Sequence, residues 1–158
     1  ESMWMLAHLL NRQDDREKYS GIQDPENTLA MKFRVTDRLP NAELASLTQR
    51  VVSRRHKEDN RMVFVCKSFL AGEGSCRGMQ TDEYGWTILR PSEKGIGTIM
   101  ECCMRQVPLH LNNASAVPKN VATYYNELLQ TMHQENIQEA ANGAETLLLD
   151  DVLTDINV

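Results

Sequence analysis

Residues 61–111 read RMVFVCKSFLAGEGSCRGMQTDEYGWTILRPSEKGIGTIMECCMRQVPLHL. Three apolar runs, 62–70, 84–89 and 98–111, are rich in Val, Ile, Phe, Tyr and Trp, and glycine-bearing turns separate them. That is the signature of β-strands. The connections are short, whereas parallel strands need a crossover of a dozen or more residues. The stretch therefore predicts an antiparallel meander, and the segments before and after it must cover one of its faces.

The whole chain, at 158 residues, is large enough for one domain with a real core. Apolar content of 41% and charged content of 25% are ordinary for a globular protein. The net charge of −5 is unevenly spread: seven carboxylates and no Lys or Arg follow Lys119, so the first 119 residues carry +2. A near-neutral body with an acidic end lacks the basic face that nucleic-acid binding requires. No window approaches the ~20 apolar residues of a membrane span, and no signal peptide is visible. Cys66, Cys76, Cys102 and Cys103 fit no CxxC or zinc spacing, which points to reduced thiols and a cytoplasmic setting.

Outward from the meander, residues 2–11 carry Met5, Leu6, Leu9 and Leu10 at helical spacing, and residues 12–23 read as a polar loop. Asp24-Pro25-Glu26-Asn27 is a turn. Residues 28–35 alternate, with Leu29, Met31, Phe33 and Val35 on one face, as a half-buried strand does. Residues 43–55 suit a helix by Leu44, Leu47 and Val51, or a strand by alternation. The break at 56–60 before the next strand favours a strand over 47–55. Both faces of 62–70 are apolar at its start, so that strand is central. Residues 71–74 read as a turn, 76–80 as a short strand, 81–83 as a turn and 91–97 as a loop. Residues 112–117 are a polar linker. Pro118 suits a helix start, and Val121, Tyr125, Leu128, Leu129 and Met132 form an apolar stripe through Gln134. Asn142-Gly143 offers an end for this helix. Beyond it, Leu147–Leu149, Val152, Leu153 and Ile156 form a last short helix or an apolar, acidic tail over 141–158.

This order gives an α+β fold: a curved antiparallel sheet with an amphipathic C-terminal helix across it, a helix-grip arrangement. Such a sheet either packs solidly on its helix or leaves a cavity. Met31, Met62, Met79, Met100, Met104 and Met132 suit irregular apolar space, and equally an ordinary core.

The runs RRHKEDNRMVFVCKSFLAGEGSCRGMQTDEYGWTILRPS, GTIMECCMRQVPLHL and DPENTLAMKFR resemble START-like (StAR-related lipid-transfer) domains. They are most similar to the divergent START-like set of oomycetes that includes mating-specific proteins. The matching segments are 24–34 and 53–111, within a domain expected over 1–140. The family's opening helix and first strands have no counterpart, so the domain reads as incomplete. The resemblance implies a tunnel holding a sterol, phospholipid or fatty-acyl ligand beneath the helix 118–134, which acts as a lid. An Arg and a carboxylate often stand in that tunnel, and Arg105 and Glu101 share a strand face here. Met100, Cys102 and Met104 share the opposite face. The sequence leaves open which face looks inward, so all five are cavity candidates, with Trp86, Tyr125, Leu128, Leu129 and Met132. Trp86 and Tyr84 have the competing reading of core aromatics.

Catalytic and cofactor signatures are missing from the sequence. Cys102 or Cys103 with His110 makes a nucleophile pair on paper, but eight residues of strand span about 26 Å. His8, His56, His110 and His133 lack metal spacing. Arg50, Arg54, Arg55, Lys57 and Arg61 could touch anionic headgroups at a membrane surface, or simply charge a strand edge. The expectation is a non-enzymatic module, without cofactor, for a lipid or other hydrophobic small molecule. The rival is a protein-interaction module that keeps the fold without a working cavity.

Overall fold

The computed structural model describes residues 14–38, 44–93, 95, 97–109 and 118–156. Six strands form one antiparallel, curved sheet in sequence order: β1 (Asp14–Lys18), β2 (Thr28–Arg38), β3 (Leu44–Lys57), β4 (Met62–Glu73), β5 (Gln80–Pro91) and β6 (Thr98–Pro108). Among the described residues one α-helix, α1 (Lys119–Ile156), follows. The fold is therefore α+β, with the sheet-and-helix layout expected of a helix grip in general. The expected helix over 2–11 and linker over 112–117 lie outside the described residues.

The register across the sheet sorts the side chains. Met31, Val51, Ser68, Glu83 and Gln106 stand in one transverse row from β2 to β6. Side chains alternate along a strand, so this row fixes the whole face. We call it the inner face, because Leu47 and Leu70 on it meet Tyr125, Leu128 and Leu129 of the helix. A second buried group on the same face joins Leu29, Met31 and Phe33, with Val35, Val51 and Phe64 packed against them.

Several expectations need correction. The polar loop over 12–23 contains β1, a strand without apolar alternation. As a sheet edge it is held by charge as well as by its ladder: Arg34 Nη1 meets Asp15 Oδ2 at 2.6 Å, and Lys32 Nζ meets Glu17 Oε2 at 3.8 Å. The helical spacing at Leu44, Leu47 and Val51 is overridden, since β3 pairs along its length with both β2 and β4. The presumed turn at 71–74 is mostly strand: β4 runs on to Glu73, and the chain reverses through a 3-10 turn at Gly74–Cys76. The short strand expected over 76–80 is absent there, and the presumed turn at 81–83 is the start of β5.

The helix also departs from expectation. It continues past Gln134 and through Asn142–Gly143 to Ile156, about 57 Å at roughly 1.5 Å per residue. Pro118 precedes it, and its carbonyl accepts the N–H groups of Val121 and Ala122. A glycine costs a helix about 1 kcal/mol and does not by itself end one. Among the described residues, no helix is long and apolar enough to cross a membrane.

Candidate functional site

The inner face closes progressively toward the helix. At the open end, Met62, Phe64, Thr87, Leu89 and Met100 are half-buried and Cys102 is exposed. At the helix end, Leu47, Leu70, Thr81, Cys76 and Tyr125 are fully buried. Tyr125, Leu128 and Leu129 lie at i, i+3 and i+4 and share one helix face, which fills the end of the sheet between β3, β4 and the 3-10 turn.

Between these ends stands a chain of polar side chains, buried at Gln49, Ser68 and Glu83 and half-buried at Gln106. Gln49 Nε2 donates to Ser68 Oγ at 3.0 Å, Ser68 Oγ donates to Glu83 Oε1 at 3.3 Å, and Gln106 Nε2 donates to Glu83 Oε2 at 2.8 Å. Four neighbouring strands each supply one of these residues. Glu83 is 8% exposed, and among the described residues no cation pairs with it. A buried carboxylate is ordinarily paired, because taking the charge out of water costs several kcal/mol.

Two hydroxyls border this chain. Thr81 and Tyr125 are both fully buried, and among the described residues neither Thr81 Oγ1 nor the Tyr125 hydroxyl has a partner in good hydrogen-bond geometry. They face one another closely enough for the Thr81 hydroxyl to favour the Tyr125 phenolate, against burial and, more weakly, Cys76 and Glu83. Burial is the main cause that holds the Tyr125 phenol above its ordinary value. Burial also pushes the Cys66 thiol up, with Glu83 adding to the effect. An unsatisfied buried hydroxyl costs roughly 1–3 kcal/mol. Together the groups offer a carboxylate acceptor and two hydroxyls that have only each other at hand, on the same face as the apolar side chains of Met31, Phe33, Val51, Phe64 and Met104.

The sequence-derived candidates divide between the two faces. Met100, Cys102 and Met104 lie on the inner face, opposite Leu89, Thr87 and Gly85. Cys102 Sγ is 3.2 Å from Thr87 Oγ1. Tyr125, Leu128, Leu129 and Met132 form the helix surface against the sheet. Arg105, Glu101 and Trp86 project from the outer face, because they fall at the opposite parity. Arg105 and Glu101 do not pair with each other: Arg105 stacks 5.7 Å from the Tyr84 ring centroid, and Glu101 accepts from Arg90 Nε at 3.2 Å. A site beneath the helix thus excludes these three side chains. Trp86 and Tyr84 are not core aromatics either; each is 41% exposed.

Sequence reasoning missed Gln49, Ser68, Thr81, Glu83 and Gln106. A signal was present. Extending the outward parity of Tyr84, Trp86 and Ile88 backwards puts Asp82 outside, and Thr81 and Glu83 inside. The turn assigned to 81–83 concealed it. No family model, curated protein or solved structure matches the chain.

Proposed function

We propose that the protein binds a small hydrophobic ligand with a polar head, such as a lipid, between the inner face of the sheet and helix α1. The observation that carries this reading is the polar chain that converges on the buried Glu83 from both sides, with the Thr81 and Tyr125 hydroxyls, which have no partner in good geometry among the described residues, beside it. Apolar side chains with a few convergent polar groups are the usual make-up of a small-molecule site. The motif resemblance to START-like domains supports the same ligand class. No catalytic step is assigned. The test is organic extraction of the purified protein with mass spectrometry of the extract, together with isothermal titration of dodecan-1-ol below its solubility limit. A bound lipid or saturable binding near one ligand per chain is expected. An empty extract and no heat of binding would refute the reading.

A second reading, a protein-interaction module, is favoured by the outer face. Val52, Val65, Tyr84 and Trp86 are 40–49% exposed on adjacent strands. Monomeric proteins rarely expose large contiguous apolar patches. Under this reading the chain self-associates or captures a partner, and Trp86→Ser abolishes the association. A monomer at high concentration with no captured partner would remove it.

A further inference from the structure

We infer that the inner face takes its ligand head-first and selects a hydrogen-bond-donating headgroup, a hydroxyl or an amine, docked at Glu83, Thr81 and Tyr125. This rests on the ligand-binding reading above and narrows it to one headgroup chemistry. Glu83 accepts from two neutral donors, Ser68 and Gln106. A carboxylate has about four lone-pair sites, so acceptor capacity remains. A donor from a ligand would fill it and offset the cost of burying the charge. The Tyr125 and Thr81 hydroxyls stand side by side at the same end of the face, with no partner in good geometry among the described residues, and would complete their bonds to a hydroxyl or amine. A phosphate or carboxylate head placed there would meet Glu83 as a like charge.

Cations of the inner-face strand positions stand elsewhere. Arg16 of β1 lies over Met31, with Nη2 3.6 Å from Met31 Sδ. Lys18 of β1 pairs in register with Met31 at the far edge of the sheet, and Arg55, which donates from Nε to Asn27 Oδ1 at 3.0 Å, and Lys57 pair in register with Phe64 and Met62 at the open end. An anionic head would therefore be held at the opening with its chain inward, the reverse of the orientation inferred here. Head-first entry sets the apolar chain along Phe64, Met104, Leu89 and Met100 toward the open end.

The test is a matched series at submicellar concentration: dodecan-1-ol, dodecylammonium, dodecanoate and dodecyl phosphate, titrated calorimetrically at pH 7.5. The alcohol and the amine should bind at least roughly tenfold more tightly than either anion, as like charges in a dry site predict. Glu83→Gln should weaken the amine by roughly tenfold and erase the discrimination against dodecanoate. Tyr125→Phe, which keeps the shape of the core, should weaken the alcohol while circular dichroism is unchanged. Anions binding as tightly as the alcohol, and weakened by Arg55→Gln, would overturn the headgroup and orientation but leave ligand binding standing. Binding by no member of the series would overturn both.

Discussion

Gln106 Nε2 donates to Glu83 Oε2 at 2.8 Å across the β5–β6 pairing, which ties the edge strand to the buried carboxylate. The other oxygen of that carboxylate is bonded from β4, so Glu83 joins three strands through its side chain alone. Positions of this kind often serve a ligand at some cost to the empty protein.

Tyr125→Phe tests that cost. The substitution removes one buried hydroxyl that has no partner in good geometry among the described residues and keeps the ring against Leu47 and Leu70. It should stabilise the unliganded protein by about 1 kcal/mol, or raise its Tm by roughly 2–4 °C. A loss of stability in thermal unfolding would show that the hydroxyl is already satisfied.

Gly85→Ala should destabilise by about 1–3 kcal/mol or more. A Cβ at Gly85 would stand 2.2 Å from the carbonyl oxygen of Cys103 and 2.8 Å from Met104 Sδ. The Met104 thioether can swing aside, but the Cys103 carbonyl cannot yield without moving β6, and overpacking of this kind is costly. Urea unfolding measures the loss. Unchanged stability would mean that β6 does not approach Gly85 so closely.

Glu73 governs part of the acid sensitivity. Thr48 donates to its carboxylate, Ser46 donates at 3.2 Å, and Arg34 Nε lies at 3.1 Å. The Thr48 bond is the main cause that holds the Glu73 carboxyl below its ordinary value. A carboxyl lowered in the folded state contributes stability at neutral pH and loses it as pH falls through the folded value. Wild type should therefore lose more stability than Glu73→Gln between roughly pH 5 and pH 3. The neutral-pH difference should be small, because the side chain is 36% exposed and screened by water. Parallel stability curves for the two proteins would contradict this.

The four cysteines should separate into two classes. All are free thiols; Cys102 and Cys103 are exposed, Cys66 is half-buried and Cys76 is fully buried. Burial raises the Cys66 and Cys76 thiols, and only the thiolate reacts readily. Maleimide labelling at pH 7.5, read by peptide mass spectrometry, should modify Cys102 and Cys103 first. Early labelling of Cys76 would contradict the docking of α1 on the sheet.

The sheet was legible where apolar residues alternate. Leu29, Met31, Phe33 and Val35 announced β2, and the doubly apolar start of 62–70 announced β4 as an interior strand. It was illegible where a strand carries charge, as in β1, or where polar residues face inward, as Thr81 and Glu83 do. Hydrophobic periodicity records burial of apolar area and is silent on a buried hydrogen-bond chain. The parity of β6 made Met100, Cys102 and Met104 one set and Glu101 and Arg105 another. Which set faced the helix depended on pairing with β5, a long-range relation that spacing within one strand does not contain. The outward placement of Tyr84 and Trp86 follows from the same register.

Binding at the inner face is tested most directly by nitrogen–proton correlation spectra of the labelled protein during titration with dodecan-1-ol. The side-chain amides of Gln49 and Gln106 report on the two ends of the buried polar chain, and the Trp86 indole reports on the outer face. The Gln49 and Gln106 amide signals should shift in a saturable manner while the Trp86 indole stays in place. Movement of the Trp86 indole with both glutamine amides unmoved would contradict the account.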